Sequence, residues 1–377
     1  ADDTSNAESS ALPSTDYHYV LGTPVLGGEL SFDANALSLT REDGTDSNRV
    51  IGEVSWRRQL IDGLGQVFTP FAQGRADAYA VSGVIDPITG IEQDADQITR
   101  GTGLVGFQYQ YPFVARTEGA SHVIEPVGQI IARPDHVNEV DVPTEDAQSL
   151  VFDDTLLFDI DKFSGYDRIE TGTRLNAGMQ YTLQFDSGGS VRAVAGRSYH
   201  LSGDNAFARG TGLNTDESDY VTGLYFAPDN DVRLIAQGRF DSDTFDLVRE
   251  DVTLKARYGP VAGSVGYAFD RTTDQVGDRR QDQEVQSALS LQLADYWTAF
   301  GALRYDIDGS QLISDSLGLR YADECFSLSV TYSETYIRDR DLEPDQSVMV
   351  KFELKHLGGT SFKTDKIGSL GGAVEDQ

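Results

Sequence analysis

The sequence predicts an all-β chain, an antiparallel transmembrane β-barrel with roughly seventeen strands, an incomplete part of a larger barrel. Three observations predict it. Apolar and polar side chains alternate with period two from end to end, so each segment has one greasy and one wet face. Tight and long connections take turns along the chain. No apolar run approaches the roughly twenty residues a membrane helix needs.

The strands read as follows. Val232, Leu234, Ala236, Gly238 and Phe240 alternate with Arg233, Ile235, Gln237 and Arg239. Leu254, Ala256 and Tyr258 alternate with Thr253, Lys255 and Arg257, and Val265, Tyr267 and Phe269 with Ser264, Gly266 and Ala268. Phe326, Leu328, Val330 and Tyr332 are interleaved with Ser327, Ser329, Thr331 and Ser333. A last strand sets Val348, Val350, Phe352 and Leu354 against Met349, Lys351, Glu353 and Lys355.

A β-sandwich would alternate in the same way, so the connections decide. Short turns are expected at 61–65, 117–120, 186–189, 228–231, 259–260, 294–295 and 322–324. Long polar connections fall between them at 83–97, 134–164, 201–218, 241–245, 272–281 and 338–345, and short and long do not exchange places. A membrane barrel keeps tight periplasmic turns on one rim and extended loops on the other, whereas a soluble sandwich has no reason to. Aromatics near strand ends, such as Phe107, Tyr109, Tyr111, Phe113, Tyr296 and Trp297, suit interfacial girdles. The expected division is a loosely ordered tail or linker at 1–15, the barrel at 16–357 and a C-terminal periplasmic tail at 358–377. With Cys325 on a periplasmic turn, counting backwards makes the first strand run inward from outside. Bacterial barrels start and end on the periplasmic side, so an N-terminal part is expected upstream.

Composition agrees. The 38 Gly, 17 Tyr and 18 Phe with 39% hydrophobic residues suit strands that face lipid on one side only. A net charge of -31 leaves no basic face for nucleic acid. The single cysteine excludes an intramolecular disulfide. Residues 1–10 are polar and acidic, without the apolar core of a signal peptide, so an export signal would lie upstream or have been removed.

No constellation points to catalysis, a cofactor or a metal centre. The histidines His18, His122, His136, His200 and His356 are scattered without ligand spacing. Gly196-Arg197-Ser198-Tyr199-His200 lacks the strand-to-helix elbow of a nucleophile turn. Acidic groups at Asp241, Asp243 and Asp246, at Asp216, Glu217 and Asp219, and at Asp153 and Asp154 read either as solvated loops or as weak divalent-cation sites beside anionic lipid, since none has calcium-loop spacing. The longest connection, 134–164, carries Leu150, Val151, Phe152, Leu156, Leu157 and Phe158, which predicts a lid packed on the barrel rim or in its lumen.

Residues 119–126 read GASHVIEP and residues 156–181 read LLFDIDKFSGYDRIETGTRLNAGMQY. Together they resemble the motif region of the LPS-assembly protein LptD (OstA) family, in which a His-x-x-Glu-Pro strand precedes a long loop ending in Phe-Ser-Gly-x-Asp-Arg. The matching residues are His122, Glu125, Pro126, Phe163, Ser164, Gly165, Asp167 and Arg168. The resemblance continues through 196–199, through Glu324-Cys325-Phe326 and into the closing Glu353-Leu354-Lys355-His356-Leu357. It implies an outer-membrane barrel that takes lipopolysaccharide from a periplasmic bridge protein, through an N-terminal domain absent here, and releases it laterally into the outer leaflet around an LptE-like lipoprotein plug. It further implies a gate at the last strand, 347–357, with Met349, Lys351, Glu353 and Lys355 toward the lumen, and a disulfide from Cys325 to the N-terminal domain. The chain departs from the family in having one cysteine for an adjacent pair, Asp161-Lys162 for Asn-Arg, and Arg197 for Gln.

The rival readings are a general diffusion porin or other outer-membrane channel, a plugged receptor barrel and a soluble sandwich. A porin closes with a terminal aromatic strand, whereas some twenty residues follow the last strand expected here. A plugged receptor needs a preceding globular plug.

Overall fold

A computed structural model describes residues 9–41, 45–83, 96–135, 142–146, 150–271, 281–336, 344–355 and 358–364. They form one antiparallel 20-stranded sheet. Its first half is β1 (Ser9–Val20), β2 (Glu29–Arg41), β3 (Asp46–Arg57), β4 (Leu60–Ile61), β5 (Val67–Ser82), β6 (Asp96–Gln110), β7 (Phe113–Thr117), β8 (Ala120–Ala132), β9 (Thr173–Phe185) and β10 (Ser190–Ser202). The second is β11 (Tyr220–Ala227), β12 (Val232–Phe240), β13 (Leu247–Tyr258), β14 (Val261–Asp270), β15 (Asp282–Ala294), β16 (Trp297–Asp306), β17 (Gln311–Ala322), β18 (Phe326–Thr335), β19 (Asp345–Leu354) and β20 (Gly358–Thr364). The order is a plain meander, each crossing paired with the one before it in sequence. Among the described residues β1 and β20 are the two edges and do not pair with each other, so the described sheet is not closed.

β3 with β4, and β6 with β7, each make one interrupted crossing, so the twenty strands give eighteen crossings rather than seventeen. The second interruption has a local cause. Pro112 ends β6, and Glu125 and Pro126 lie opposite it on β8, between the paired residues Gln110↔Val127 and Phe113↔Ile124. Two prolines without N–H groups face each other there, which thins the ladder to the Tyr111 amide donating to the Pro126 carbonyl at 3.2 Å.

Register separates the two faces. Trp297, Tyr321, Leu328 and Phe352 stand side by side across β16 to β19, as do Ala299, Leu319, Val330 and Val350. The row between them is Thr298, Arg320, Ser329 and Lys351. Leu319, Leu328 and Val330 are 41%, 38% and 44% exposed, so the apolar rows look outward and are not pressed against a second sheet. Ring contacts run along the short-turn rim: Tyr296–Tyr321, Trp297–Tyr321, Tyr321–Phe326 and Phe326–Phe352, and again Phe68–Tyr109 and Tyr111–Phe113. Such a belt suits the boundary between hydrocarbon and head groups.

Four expectations need correction. β1 begins at Ser9, inside the stretch read as a tail; its residues carry no clean apolar alternation, but backbone pairing with β2 needs none. β20 lies inside the expected C-terminal tail for the same reason: a Gly-rich segment can still complete a ladder, here from Leu354↔Gly358 to Val348↔Thr364. β19 is therefore an interior strand, flanked by β18 and β20, and not the last one. Finally, the long-loop rim carries a tight connection at 307–310, and the short-turn rim a longer one, 21–28. The asymmetry of the rims holds overall but not at every hairpin. His136, His356, most of 83–97, 272–280 and 337–343 lie outside the described residues.

Candidate functional site

The two faces of the wall are unequal in a second way. Buried apolar residues gather on the inner face of the first half, beneath the connection from β8 to β9. Phe152, Leu157, Leu213 and Val221 are fully buried together with Phe207, and Leu150, Leu156, Phe158 and Phe163 pack around them. Leu213 and Phe207 come from the neighbouring connection 203–219, so two loops from the long-loop rim share one small core with the wall. Burying a Leu or Phe side chain contributes about 2–3 kcal/mol, enough to hold a segment that has no strand pairing of its own.

The wall is shaped to receive it. A Cβ at Gly196 would stand 2.6 Å from Leu157 Cδ2, and one at Gly223 would run into the Asp154 carboxylate. Asp154 accepts hydrogen bonds from Tyr225 Oη and from Gln237 Nε2, both at 2.8 Å, which ties the loop to β11 and β12. On β8 to β10 an inward polar ladder runs alongside. Gln129 Nε2 donates to Gln108 Oε1 at 3.1 Å and to the Phe158 carbonyl at 2.9 Å. Asn176 donates to Gln129 Oε1 at 2.7 Å, and Ser198 Oγ to Asn176 Oδ1 at 2.6 Å. Each buried amide is thereby satisfied.

Two ionic clusters pin the rest of the lid. At the first, Asp167 Oδ1 accepts from Arg49 at 2.7 Å, and Asp146 Oδ2 pairs with the same Arg49 nitrogen at 2.6 Å. Asp77 holds Arg75 at 2.8 Å and Arg100 at 2.5 Å, and Arg100 donates onward to the carbonyls of Asp167 at 2.8 Å and Tyr166 at 3.0 Å. The Tyr166 ring lies under the guanidinium groups of Arg49 and Arg75, 5.2 and 5.6 Å from its centroid. Strands β3, β5 and β6 thus converge on the same Tyr166–Asp167 step of the loop, with Asp146 beside it.

The second cluster is drier. Glu170 pairs with Arg174 at 2.6 Å and with Arg133 at 3.3 Å, beside the fully buried Lys162, whose Nζ has no hydrogen-bond partner. Burial pulls Lys162 below the usual lysine range. Burial pushes Glu170 the other way, but Lys162, Arg133 and Arg174 outweigh it and hold the carboxyl below its ordinary value. Asp161 accepts from the amides of Phe163 at 2.9 Å and Glu170 at 3.1 Å, yet burial, with Glu170 nearby, raises its carboxyl to about 6.

This gives the lid a pH dependence whose sign is set by Asp161. A carboxyl whose folded value lies above its unfolded one binds its proton more tightly in the closed lid, so closure strengthens as pH falls through 6 and weakens above it. With allowance for partial exposure the effect is roughly 2 kcal/mol. Lys162 acts in the opposite sense, because its proton is bound more tightly when the lid opens. The difference between wild type and Asp161→Asn isolates the carboxylate. Hydrogen exchange of residues 150–171 in the wild type, corrected for intrinsic rates, is expected to slow from pH 8 to pH 5 by more than in the variant; equal slopes would contradict it.

The motif residues divide between two places. His122, Glu125 and Pro126 lie on β8 toward the short-turn rim: His122 shares hydrogen bonds with Tyr181 Oη at 2.8 Å and Thr117 Oγ1 at 3.0 Å, and Glu125 accepts from Gln110 at 2.9 Å. Phe163, Ser164, Gly165, Asp167 and Arg168 belong to the lid. Phe163 stacks on Phe207 at 4.8 Å with the Arg168 guanidinium 4.8 Å over its ring, and Arg168 donates to the Ala206 carbonyl at 2.8 Å. Ser164 Oγ donates to the Asp146 carbonyl at 3.2 Å, and Gly165 turns with φ +73° against the Asp146 carboxylate. Leu157 is fully buried and Leu156 and Phe158 partly so. Met349, Lys351 and Glu353 share the inner face of β19, with Lys351 3.9 Å from Glu353. Lys355 follows that strand and donates its amide to the Cys325 carbonyl at 3.1 Å. Cys325 is an exposed free thiol on the turn between β17 and β18, shaped by Asp323, which accepts from the amides of Cys325 and Phe326. Reading the sequence missed Arg49, Arg75, Asp77, Arg100, Arg133, Glu170 and Arg174. The charge alternation Arg75-Ala76-Asp77 was the available signal for the first cluster.

A family model described as LptD, LPS transport system D, matches residues 1–275. Curated relatives include LPS-assembly protein LptD of Acinetobacter baumannii, 27% identical over 62% of this chain and 29% of its own length. The protein of the same name in Chromobacterium violaceum is 27% identical over 64% and 31%, and that of Alcanivorax borkumensis 22% identical over 92% and 46%. The chain thus spans less than half the length of these relatives. Among solved structures, a mutant of the ferric enterobactin receptor PfeA of Pseudomonas aeruginosa aligns over 94% of this chain and 63% of its own, at a TM-score of 0.50 and 11% identity, a likeness of fold alone.

Proposed function

Because this chain belongs to the LptD family, we propose that it forms the wall of an outer-membrane translocon that moves lipopolysaccharide from the periplasm into the outer leaflet. It is an outer-membrane barrel protein of a Gram-negative bacterium. The observation that carries the reading is the division of its inner face. Across β3 to β12 the lumen side is covered by the lid and its neighbouring loop, while from the short-turn end of β12 across to β19 it is open, with cavities of about 820, 660 and 660 Å³ along it. A sugar-bearing amphiphile could travel along such a face with its glycan in water, and an apolar outer wall would receive its acyl chains.

In this reading the short-turn rim faces the periplasm and the lid caps the outside. Release occurs sideways out of the wall, beside the β19–β20 pair. An LptE-like lipoprotein stands against the open inner face, and a periplasmic bridge protein delivers substrate from the short-turn side. Depleting the protein is expected to remove lipopolysaccharide from the cell surface while it accumulates on the inner membrane, read by surface labelling and membrane fractionation. Normal surface lipopolysaccharide with slowed uptake of small solutes would instead favour a diffusion porin.

Cys325 sits on the periplasmic rim in this reading, an oxidising location, and we assign it a disulfide to another part of the intact protein. Alkylation of non-reduced outer membranes is expected to leave Cys325 unmodified, and reduction to expose it. Full modification without reductant would dismiss the disulfide.

A further inference from the structure

In a chain of net charge -31, the cations of the inner face are sorted by height. Toward the long-loop rim each arginine has a carboxylate: Arg249 with Asp251 and Asp270 at 2.8 and 2.6 Å, Arg304 with Glu284 at 2.5 Å, Arg239 with Asp219 at 3.5 Å. Toward the short-turn rim, Arg192, Arg233, Lys255, Arg257 and Arg320 make no ion pair among the described residues, and Lys351 only the loose contact with Glu353. All six are exposed.

Their side is fixed by register. Arg233 lies two residues from Ile235, the cross-strand neighbour of Tyr225, and four from Gln237; Tyr225 and Gln237 both bond the lid residue Asp154. Arg233 is paired directly with Lys255, and Arg257 follows two residues on. Arg320 and Lys351 flank Ser329 in one row. Arg192 lies over the Tyr225 ring, 5.4 Å from its centroid. The cavity lined by Arg233, Lys255 and Arg257, with Asp229 and Asp231 at its mouth, shares Ser290 and Phe300 with the one lined by Arg320 and Lys351, which also holds Asp295 and Glu353. Like charges placed opposite each other across strands repel, and a sheet with this many free acidic residues could have paired them internally. An arc of cations whose neighbouring carboxylates do not reach them as ion pairs, next to open space, leaves guanidinium and ammonium donors free for a polyanionic ligand.

We infer that this arc is a phosphate-binding station on the inner wall, holding the phosphorylated head group of the transported glycolipid as it enters from the short-turn rim. The inference rests on the transport reading above and adds where, and by which chemistry, the substrate is held. The acidic, internally paired surface nearer the lid then repels the same phosphates, so the station holds them low in the lumen.

The test uses the full chain in detergent, with heat-modifiable gel migration as the check on folding. Its variant carries Arg233→Gln, Lys255→Gln, Arg320→Gln and Lys351→Gln. Diphosphorylated lipid A is the probe, with dephosphorylated lipid A and inorganic phosphate as comparisons. The variant is expected to bind the phosphorylated probe about tenfold more weakly, to bind the dephosphorylated one as wild type does, and to show a shallower salt dependence. Arg233→Lys with Arg320→Lys should restore most of the affinity, and Arg304→Gln at the far rim should change nothing. Unchanged binding, or equal loss for both lipids, overturns the station. Competition by inorganic phosphate at equal concentration overturns its assignment to a lipid head group, as does a variant that keeps the lipid but loses an acidic protein partner. Surface lipopolysaccharide on depletion is scored separately, so failure here leaves the transport reading standing.

Discussion

Asp77→Ala is expected to destabilise the protein by about 3–5 kcal/mol, because it strips the shared carboxylate from two buried guanidinium groups at once. The Asp77 side chain is 1% exposed and those of Arg75 and Arg100 are 9% and 3%. Among the described residues neither arginine has a second carboxylate in contact; the remaining acceptors are the Tyr166 and Asp167 carbonyls of the lid and, for Arg100, the Tyr79 hydroxyl. Asp77→Asn keeps an acceptor and loses less. Replacing both Asp77 and Arg100 with leucine removes the orphaned charge and should recover part of the loss, since buried ion pairs can be exchanged for apolar contacts at little net change. The midpoint of heat-modifiable gel migration measures all three. A shift for Asp77→Ala no larger than that for Asp77→Asn would mean that water reaches the site and the pair matters little.

The second large effect is Phe152→Ala, at about 3–5 kcal/mol, but confined to the lid. Phe152 is fully buried among Leu157, Leu213, Phe207 and Val221, between two loops and one strand. Its loss leaves a cavity that those loops can escape by lifting away, whereas the ladder of the wall is untouched. Protease cleavage within 150–171 is therefore expected to accelerate by two orders of magnitude or more, about what 3 kcal/mol corresponds to when opening is fast. The melting of the wall should barely move. Concerted loss of both would show that lid and wall unfold as one unit.

What the sequence made legible is what side-chain alternation encodes. The outward rows at Phe326 to Tyr332 and Val348 to Leu354 stand where their period of two places them. The apolar run 150–158 announced burial in an otherwise polar loop. β20 was not legible because Gly358 and Gly359 give no face to read, although their backbone pairs as well as any other. The lid's ionic anchors were illegible for a different reason. Arg49 and Asp167 are brought together by a loop folding back over a strand far away in sequence, Arg133 and Glu170 by the two ends of that loop meeting, and inward polar positions of a barrel are expected to hold charges whether or not anything lands on them. The wall's glycines at 178, 196 and 223 hinted at a close visitor, but glycine is too common here for the hint to stand out.

The cross-bracing of only one side has a mechanical consequence. From β3 to β11 neighbouring strands are tied to one another and also to a common body, through Arg49, Arg100, Gln129, Ser198 and Tyr225, so flexing any of them strains several contacts at once. From β13 to β19 each strand answers only to its two neighbours. The sheet is accordingly stiff on one flank and pliant on the other, and curvature imposed by the surrounding bilayer, or by cargo pushing from within, is taken up by the pliant flank.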